Sequence, residues 1–279
     1  MTRPPLPVPA VVAVLGALLW LGVPLLPVLV WAGAERWSFP DLLPDTWGLA
    51  GWRDAAAEGL VPAMLRSLAL GLAVAAVATP LGVMTGRVLG WRLTRHPRLV
   101  VGLLLVPLVL PPFAVAMGLD VVLIRVGLPE LVSVVLLLAV VAIPYAAYTS
   151  ATGFARTSPE LEAQARALGA TARQARLRVV LPAMRGSIVV AALLAFLVGW
   201  SDYVVTLLVG GGQLVTAPVL LGSAASGSGN DAMVAAMALA TLLPPVLMVT
   251  AVVGLRRRER TSITSTAPAD LMPAEERMR

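Results

Sequence analysis

Apolar residues fall in long unbroken runs along this chain, and polar residues cluster between the runs. A helix needs about 20 consecutive apolar residues to cross about 30 Å of hydrocarbon. Six segments reach that length: Val8–Trp31, Leu68–Leu89, Leu99–Leu119, Leu131–Gly153, Ser187–Val209 and Met233–Leu255. The pattern predicts an all-α integral membrane protein with six transmembrane helices. Pro24, Pro27, Pro80, Pro107, Pro111, Pro112, Pro144, Pro244 and Pro245 lie within the runs. Neighbouring helices satisfy the backbone groups that proline frees, so these residues predict kinks and not the loss of a span.

The same pattern divides the chain. Residues 1–31 hold the first helix, and 32–61 form an external loop with a short interfacial helix. Residues 62–255 form a five-helix core carrying a polar connection at 157–182. Residues 256–279 form a polar tail without apolar period, read as disordered. A second external loop covers 210–232, and no internal repeat is visible. The first run is followed by Ala32-Gly33-Ala34, which has the look of a cleavage site. Signal-peptide apolar regions run about 7–15 residues, and this one has 24, so it is read as a retained helix.

Charge gives the runs a direction. Seventeen of the 21 basic residues lie before the first span, in the second and fourth connections, or after the last span. Only Arg36, Arg53 and Arg125 lie on the other side, with Arg66 at the edge of the second span. Arginine excess marks the cytoplasmic face, so both termini are expected in the cytoplasm of a multi-pass inner-membrane protein. Trp31, Trp37 and Trp91 fall near expected interfaces, as an aromatic belt would place them. The net charge of +6 follows from this placement and not from nucleic-acid binding.

Composition then removes chemistries. The chain is 58% hydrophobic and 13% charged. It has no cysteine, one histidine (His96) and no lysine. A disulfide framework and a multi-histidine metal site are excluded, and no cofactor is implied. A P-loop needs its lysine on the nucleotide phosphates, so any ATP that drives this protein binds another subunit. A membrane hydrolase needs a Ser–His or paired-carboxylate set at membrane depth, and the runs lack one.

Residues 157–182 read as two short capped helices. Ser158 caps the first, Pro159 takes its first position, and Glu160 sits at the positive end of its dipole. Gly169 stops it in the left-handed region. Thr171 with Gln174 forms a capping box for the second helix, and Pro182 marks a break before the next span. A loop that only linked two spans would not need two capped helices. This one is built to present a rigid surface to a partner.

Here the chain resembles the permeases of ABC importers. Their EAA loop has Glu-Ala-Ala, three residues, Gly, nine residues, Ile, one residue, then Leu-Pro. Anchored on Gly169, nine residues run from Ala170 to Arg178, and Val179-Val180-Leu181-Pro182 completes the motif with Val for Ile. The Glu-Ala-Ala positions hold Ala163-Gln164-Ala165, with Glu162 one place early. Pro107-Leu108-Val109-Leu110-Pro111-Pro112, Ile143-Pro144-Tyr145 and Trp200-Ser201-Asp202-Tyr203 are similar to the family's core spans, so the resemblance covers about residues 62–255. It implies the MetI-like fold and a coupling loop made of Glu160, Glu162, Ala163, Gln164, Ala165, Arg166, Leu168, Gly169, Ala170, Thr171, Leu181 and Pro182. It also implies a second permease subunit, identical or related, cytosolic ATPase subunits, and an extracytoplasmic substrate-binding protein. Pro111, Pro112, Asp202 and Tyr203 are its pathway candidates.

Asp202 is the one acid inside an expected span. Two readings stand: pathway lining, or an interface and helix-packing acid, since it lies about 22 Å along its span at 1.5 Å per residue. Arg66 is read as an outer-edge snorkelling residue, His96 as a solvated loop residue, and the methionines of the last span as packing. The external acids outnumber the external arginines, which would suit a cationic substrate. Exclusion of arginine from that side produces the same imbalance. A secondary transporter or channel is the rival; it would carry intramembrane ionisable relays, and apart from Asp202 the spans lack them. The stretch from Trp200 to Pro218 is most similar to permeases of the polyamine, iron(III) and thiamine group, with polyamine favoured.

Overall fold

The computed structural model describes residues 22–37 and 41–265 and the single positions 12, 16, 19 and 20; beyond Gly254 only the backbone is described. In chain order the elements are α1 Leu25–Ala32, β1 Ala34–Arg36, β2 Thr46–Trp47, α2 Ala50–Ala57, α3 Leu60–Gly90, α4 Pro97–Val109, α5 Pro112–Val126 and α6 Glu130–Arg156. Then come α7 Glu160–Ala167, α8 Ala172–Ala175, a π-helical turn Arg176–Val180, α9 Leu181–Ala183, α10 Arg185–Ser201, α11 Val204–Val209, α12 Ala217–Ala225 and α13 Asp231–Ser265.

Three helices are each long and apolar enough to cross a membrane: α3, α6 and the Asp231–Gly254 part of α13. Counting each of two sharply bent helix pairs as one span brings the number to as many as five among the described residues. Ten of the 24 positions of the expected first span, Val8–Trp31, fall outside the described residues, and α1 covers its end. The chain is not purely helical: β1 and β2 pair antiparallel in the stretch expected to hold only a short helix. That helix is present as α2.

Two spans expected to be continuous are broken. Leu99–Leu119 becomes α4 and α5, bent by 100°. Leu110 precedes a proline and takes an extended ψ of 139°, as does Pro111 at 130°. The proline ring disfavours helical geometry at the residue before it, and two adjacent prolines remove two consecutive donors. Ser187–Val209 becomes α10 and α11, interrupted at Asp202 and Tyr203. The stretch 210–232, expected to be an external loop, carries α12, and α13 runs to Ser265, ten residues past the expected end at Leu255. Residues 266–279 of the expected tail lie outside the described residues.

The chain divides into two units. One joins residues up to Ala69 with Ser201–Leu243. Its core packs Ala55, Leu60 and Ala63 against Leu220, Ala224, Ala236, Met237 and Ala240. The buried Ser67 hydroxyl accepts from the Ala217 N–H at 2.9 Å and so anchors the start of α12. The other unit joins Leu70–Trp200 with the segment from Pro244. In it α3 meets α6 through Gly82, Gly86 and Gly90, one glycine every fourth residue and therefore one face of the helix. A Cβ on Gly86 would lie 2.6 Å from the Ser150 Cβ and 2.8 Å from the Ala147 carbonyl oxygen. On Gly90 it would lie 2.6 Å from the Ala151 carbonyl oxygen. Small residues in line let two backbones touch, which is how apolar helices associate when lipid supplies no hydrophobic drive.

Candidate functional site

The 157–182 segment folds from its local chemistry. The Ser158 hydroxyl accepts from the Glu160 N–H at 3.2 Å, and Pro159 is already helical at φ −57° and ψ −26°. Glu160 and Glu162 occupy the first turn of α7, where the dipole favours acids. At the other end Gly169 has φ +92°. Its N–H donates to Arg166 O at 3.0 Å, and the Ala170 N–H reaches back to Ala165 O at 3.1 Å. This pair of reversed bonds is the Schellman closure of a helix. The next helix opens with the expected capping box: Thr171 N–H donates to Gln174 Oε1 at 2.9 Å, and Gln174 N–H donates to Thr171 Oγ1 at 3.3 Å.

One expectation needs correction. The second helix is not uniform: α8 widens into a π-helical turn over Arg176–Val180 before α9, and α10 leaves at 79° to the 172–183 stretch. Pro182 has no N–H for the carbonyl four residues back, at Arg178, and the widened turn lies just upstream.

The segment shows two faces. Glu160, Ala163, Gln164, Arg166, Gly169, Thr171 and Pro182 are exposed, while Ala165, Ala170 and Leu181 are half-buried. Leu168, at the end of α7, is 89% exposed. Glu162 faces the opposite way and keeps 9% of its surface. The acid one place early in the motif is therefore turned inward, while the motif positions Ala163 and Gln164 face out.

What Glu162 meets lies outside the motif. Its Oε2 accepts from Arg87 Nη2 at 2.8 Å, joining α7 to the end of α3. The Arg87 guanidinium lies 5.0 Å from the Trp91 ring centroid, within cation–π range. The Trp91 Nε1–H donates to Phe154 O at 3.0 Å and Thr157 O at 2.9 Å, carbonyls at the end of α6. The Trp91 and Phe154 rings meet edge to face at 5.0 Å. Phe154, Val180 and Met184 form the apolar core beneath, with Val83, Trp91 and Ile188 packed on it. The sequence placed Arg87 in an arginine count and Trp91 in an interfacial belt. A basic residue and a tryptophan four apart at a span's end were the only signal. A cavity of about 770 Å³ adjoins the cluster, lined by apolar residues such as Met84, Val88 and Leu177, with Arg87, Arg173 and Arg176.

The other candidates belong to different units. Pro111 and Pro112 are exposed at the break between α4 and α5, in one unit. Asp202 and Tyr203 belong to the other. Asp202 Oδ2 accepts from the Thr206 N–H at 2.7 Å and from its hydroxyl at 2.9 Å, the arrangement of a cap on α11. The Tyr203 ring covers Gly222, where a Cβ would lie 2.6 Å from it. Arg66 donates to Val215 O at 3.2 Å, and His96 is exposed, with its backbone N–H on Thr94 Oγ1.

Comparison with known proteins supplies the wider frame. Residues 78–261 match the family described as "Binding-protein-dependent transport system inner membrane component". The trehalose transport system permease protein SugB of Mycobacterium tuberculosis (strain CDC 1551 / Oshkosh) is 26% identical over 207 residues, 74% of this chain and 76% of that one. The crystal structure of an amino acid ABC transporter with histidines matches at a TM-score of 0.54 and 15% identity, over 76% of this chain and 99% of that one, which is a likeness of fold alone. The glycine contacts between α3 and α6 and the capped segment before α10 all lie in the matched region. The chain belongs to the binding-protein-dependent transport system inner membrane components, the permease subunits of ABC importers.

Proposed function

We propose that this permease lines the translocation pathway together with a second permease and is driven through residues 157–182 by a cytosolic ATPase. The observation that carries the reading is the build of the segment: two short helices, one closed at Gly169 and the next opened at Thr171 by their own caps, hold Leu168 89% exposed between them. The exposed Ala163, Gln164 and Arg166 extend the same surface. An extracytoplasmic binding protein delivers the solute.

For the substrate, the named relative supports a sugar in place of the polyamine-type cation suggested by Trp200–Pro218. The test is co-expression with the ATPase and binding protein and reconstitution in vesicles. The complex should hydrolyse ATP and accumulate trehalose but not spermidine, and the isolated chain, having no lysine, should hydrolyse none. Spermidine uptake would return the substrate to the polyamine class. Turnover by the isolated chain would overturn the division of labour.

The arginine asymmetry supports cytoplasmic termini and six spans. Reporter fusions after Trp47 and Ser226 should read as external, and those after Arg95 and Arg173 as cytoplasmic. An external signal at Arg173 would move the coupling segment to the wrong side and end the proposal.

A further inference from the structure

We propose that Arg87, Trp91 and Glu162 form a strut that fixes the coupling helix to α3, making Arg87 and Trp91, both outside the coupling loop, positioning residues of energy coupling. The proposal rests on the reading of residues 157–182 as the ATPase contact.

The geometry has three linked parts. Glu162 is a buried carboxylate on α7, 2.8 Å from a guanidinium 75 residues away in sequence. The Glu162 side chain keeps 11% of its surface against 31% for Arg87, so removing Arg87 leaves a carboxylate that water reaches poorly. Arg87 is in turn held from the side by the Trp91 ring, and its Nε is buried with no hydrogen-bond partner. Finally, the Trp91 indole N–H bridges two carbonyls, those of Phe154 and Thr157, where α6 ends and the loop begins. The helix carrying the exposed surface is therefore tied at its entry by Trp91 and along its buried face by Arg87.

The direction of Glu162 separates two roles. An acid that docks on the ATPase has to face out, and Glu162 faces in. Its charge can act on a partner only through the position of α7. An equivalent movement of α7 is delivered to α3, which packs against α6 through Gly82, Gly86 and Gly90. A push on Leu168 and Gln164 reaches a membrane helix through the ion pair and the two indole bonds. Without the pair the surface stays, but less of its displacement is passed on.

The experiment uses the complete complex with its ATPase and binding protein in vesicles. It reads ATPase co-purification, ATP hydrolysed per trehalose imported, and stimulation of hydrolysis by trehalose-loaded binding protein. The variants are Glu162→Gln, Arg87→Met, Trp91→Phe and the double Arg87→Met/Glu162→Met. Glu162→Gln should keep the ATPase bound yet cut uptake per ATP about tenfold, within the usual size of a coupling term. Trp91→Phe keeps the ring but loses both carbonyl bonds, and it should shift the ratio in the same direction. The double variant should lose no more than Arg87→Met alone, because groups that act as a unit are not additive.

A Glu162→Gln complex with the wild-type ratio of ATP to solute would overturn the strut. So would loss of the ATPase from Glu162→Gln, which would make Glu162 a docking residue. So would strictly additive losses in the double variant. Gln164→Arg on the outer face is the companion arm. If it also leaves ATPase binding and uptake unchanged, the coupling segment itself is misassigned; if it blocks docking while Glu162→Gln is silent, only the strut fails.

Discussion

Gly169→Val is expected to abolish uptake while leaving the chain inserted in the membrane. Gly169 closes α7 at φ +92°, and a Cβ there would meet nothing within 4 Å. The whole effect of a side chain is therefore conformational. A residue with a Cβ in the left-handed region costs roughly 1–2 kcal/mol, and a β-branched one is a marked outlier there. The chain can escape by rotating out of that region. Doing so breaks the bonds from Gly169 N–H to Arg166 O and from Ala170 N–H to Ala165 O, and it changes the angle between α7 and α8. The exposed surface at Leu168 then points elsewhere, while the membrane helices keep their packing. Co-purification of the ATPase should fall sharply and uptake should vanish, with normal amounts of the chain in membranes. Gly169→Ala should be milder, and Gly169→Asn milder still, because asparagine enters this region most readily. Full ATPase retention and uptake in Gly169→Val would show that residues 157–182 are not the coupling element.

Gly86→Leu should fail in a different way, by preventing the core from assembling. Its Cβ alone would stand 2.6 Å from the Ser150 Cβ and 2.8 Å from a backbone oxygen, so α3 and α6 must separate along their contact. Overpacking of this kind costs about 1–3 kcal/mol where side chains can yield, and more where the obstacle is backbone, as it is here. Separation also opens Gly82 and Gly90, so the loss is shared along the interface. We expect the protein to be degraded in cells and to lose its thermal transition in detergent. Gly102→Leu is the control: a Cβ there meets nothing within 4 Å. Its melting temperature should match that of the unaltered chain. A stable, transport-active Gly86→Leu would mean that α3 and α6 do not meet at this face.

These two glycines also separate what is local from what is not. The closure at Gly169, the Thr171–Gln174 box and the start of α7 at Ser158 and Pro159 were legible because each depends on groups within five residues of one another. The apolar runs were legible for a similar reason. Their length must match the hydrocarbon thickness whatever the neighbours do, which is why α3, α6 and α13 fall where the runs do. The sequence by itself thus determined the helical class, the principal membrane segments, the capped connection and the family. Tertiary structure decided how much the proline pair bends α4 from α5, because a proline frees the backbone to kink but only the surroundings choose the 100° angle. The cap of Asp202 on α11 is as local, four residues from Thr206, but an apolar run read for its length alone passes over it. Tertiary structure made Gly82, Gly86 and Gly90 a contact with α6, where periodicity shows only a line of small residues. It also decided which way Glu162 points. One residue along a helix turns a side chain by about 100°, and whether that turn leads to a partner or to this chain's interior depends on Arg87, 75 positions earlier. An attraction across that separation leaves no mark in either local sequence, because nothing near Glu162 or near Arg87 specifies the other until the chain has folded.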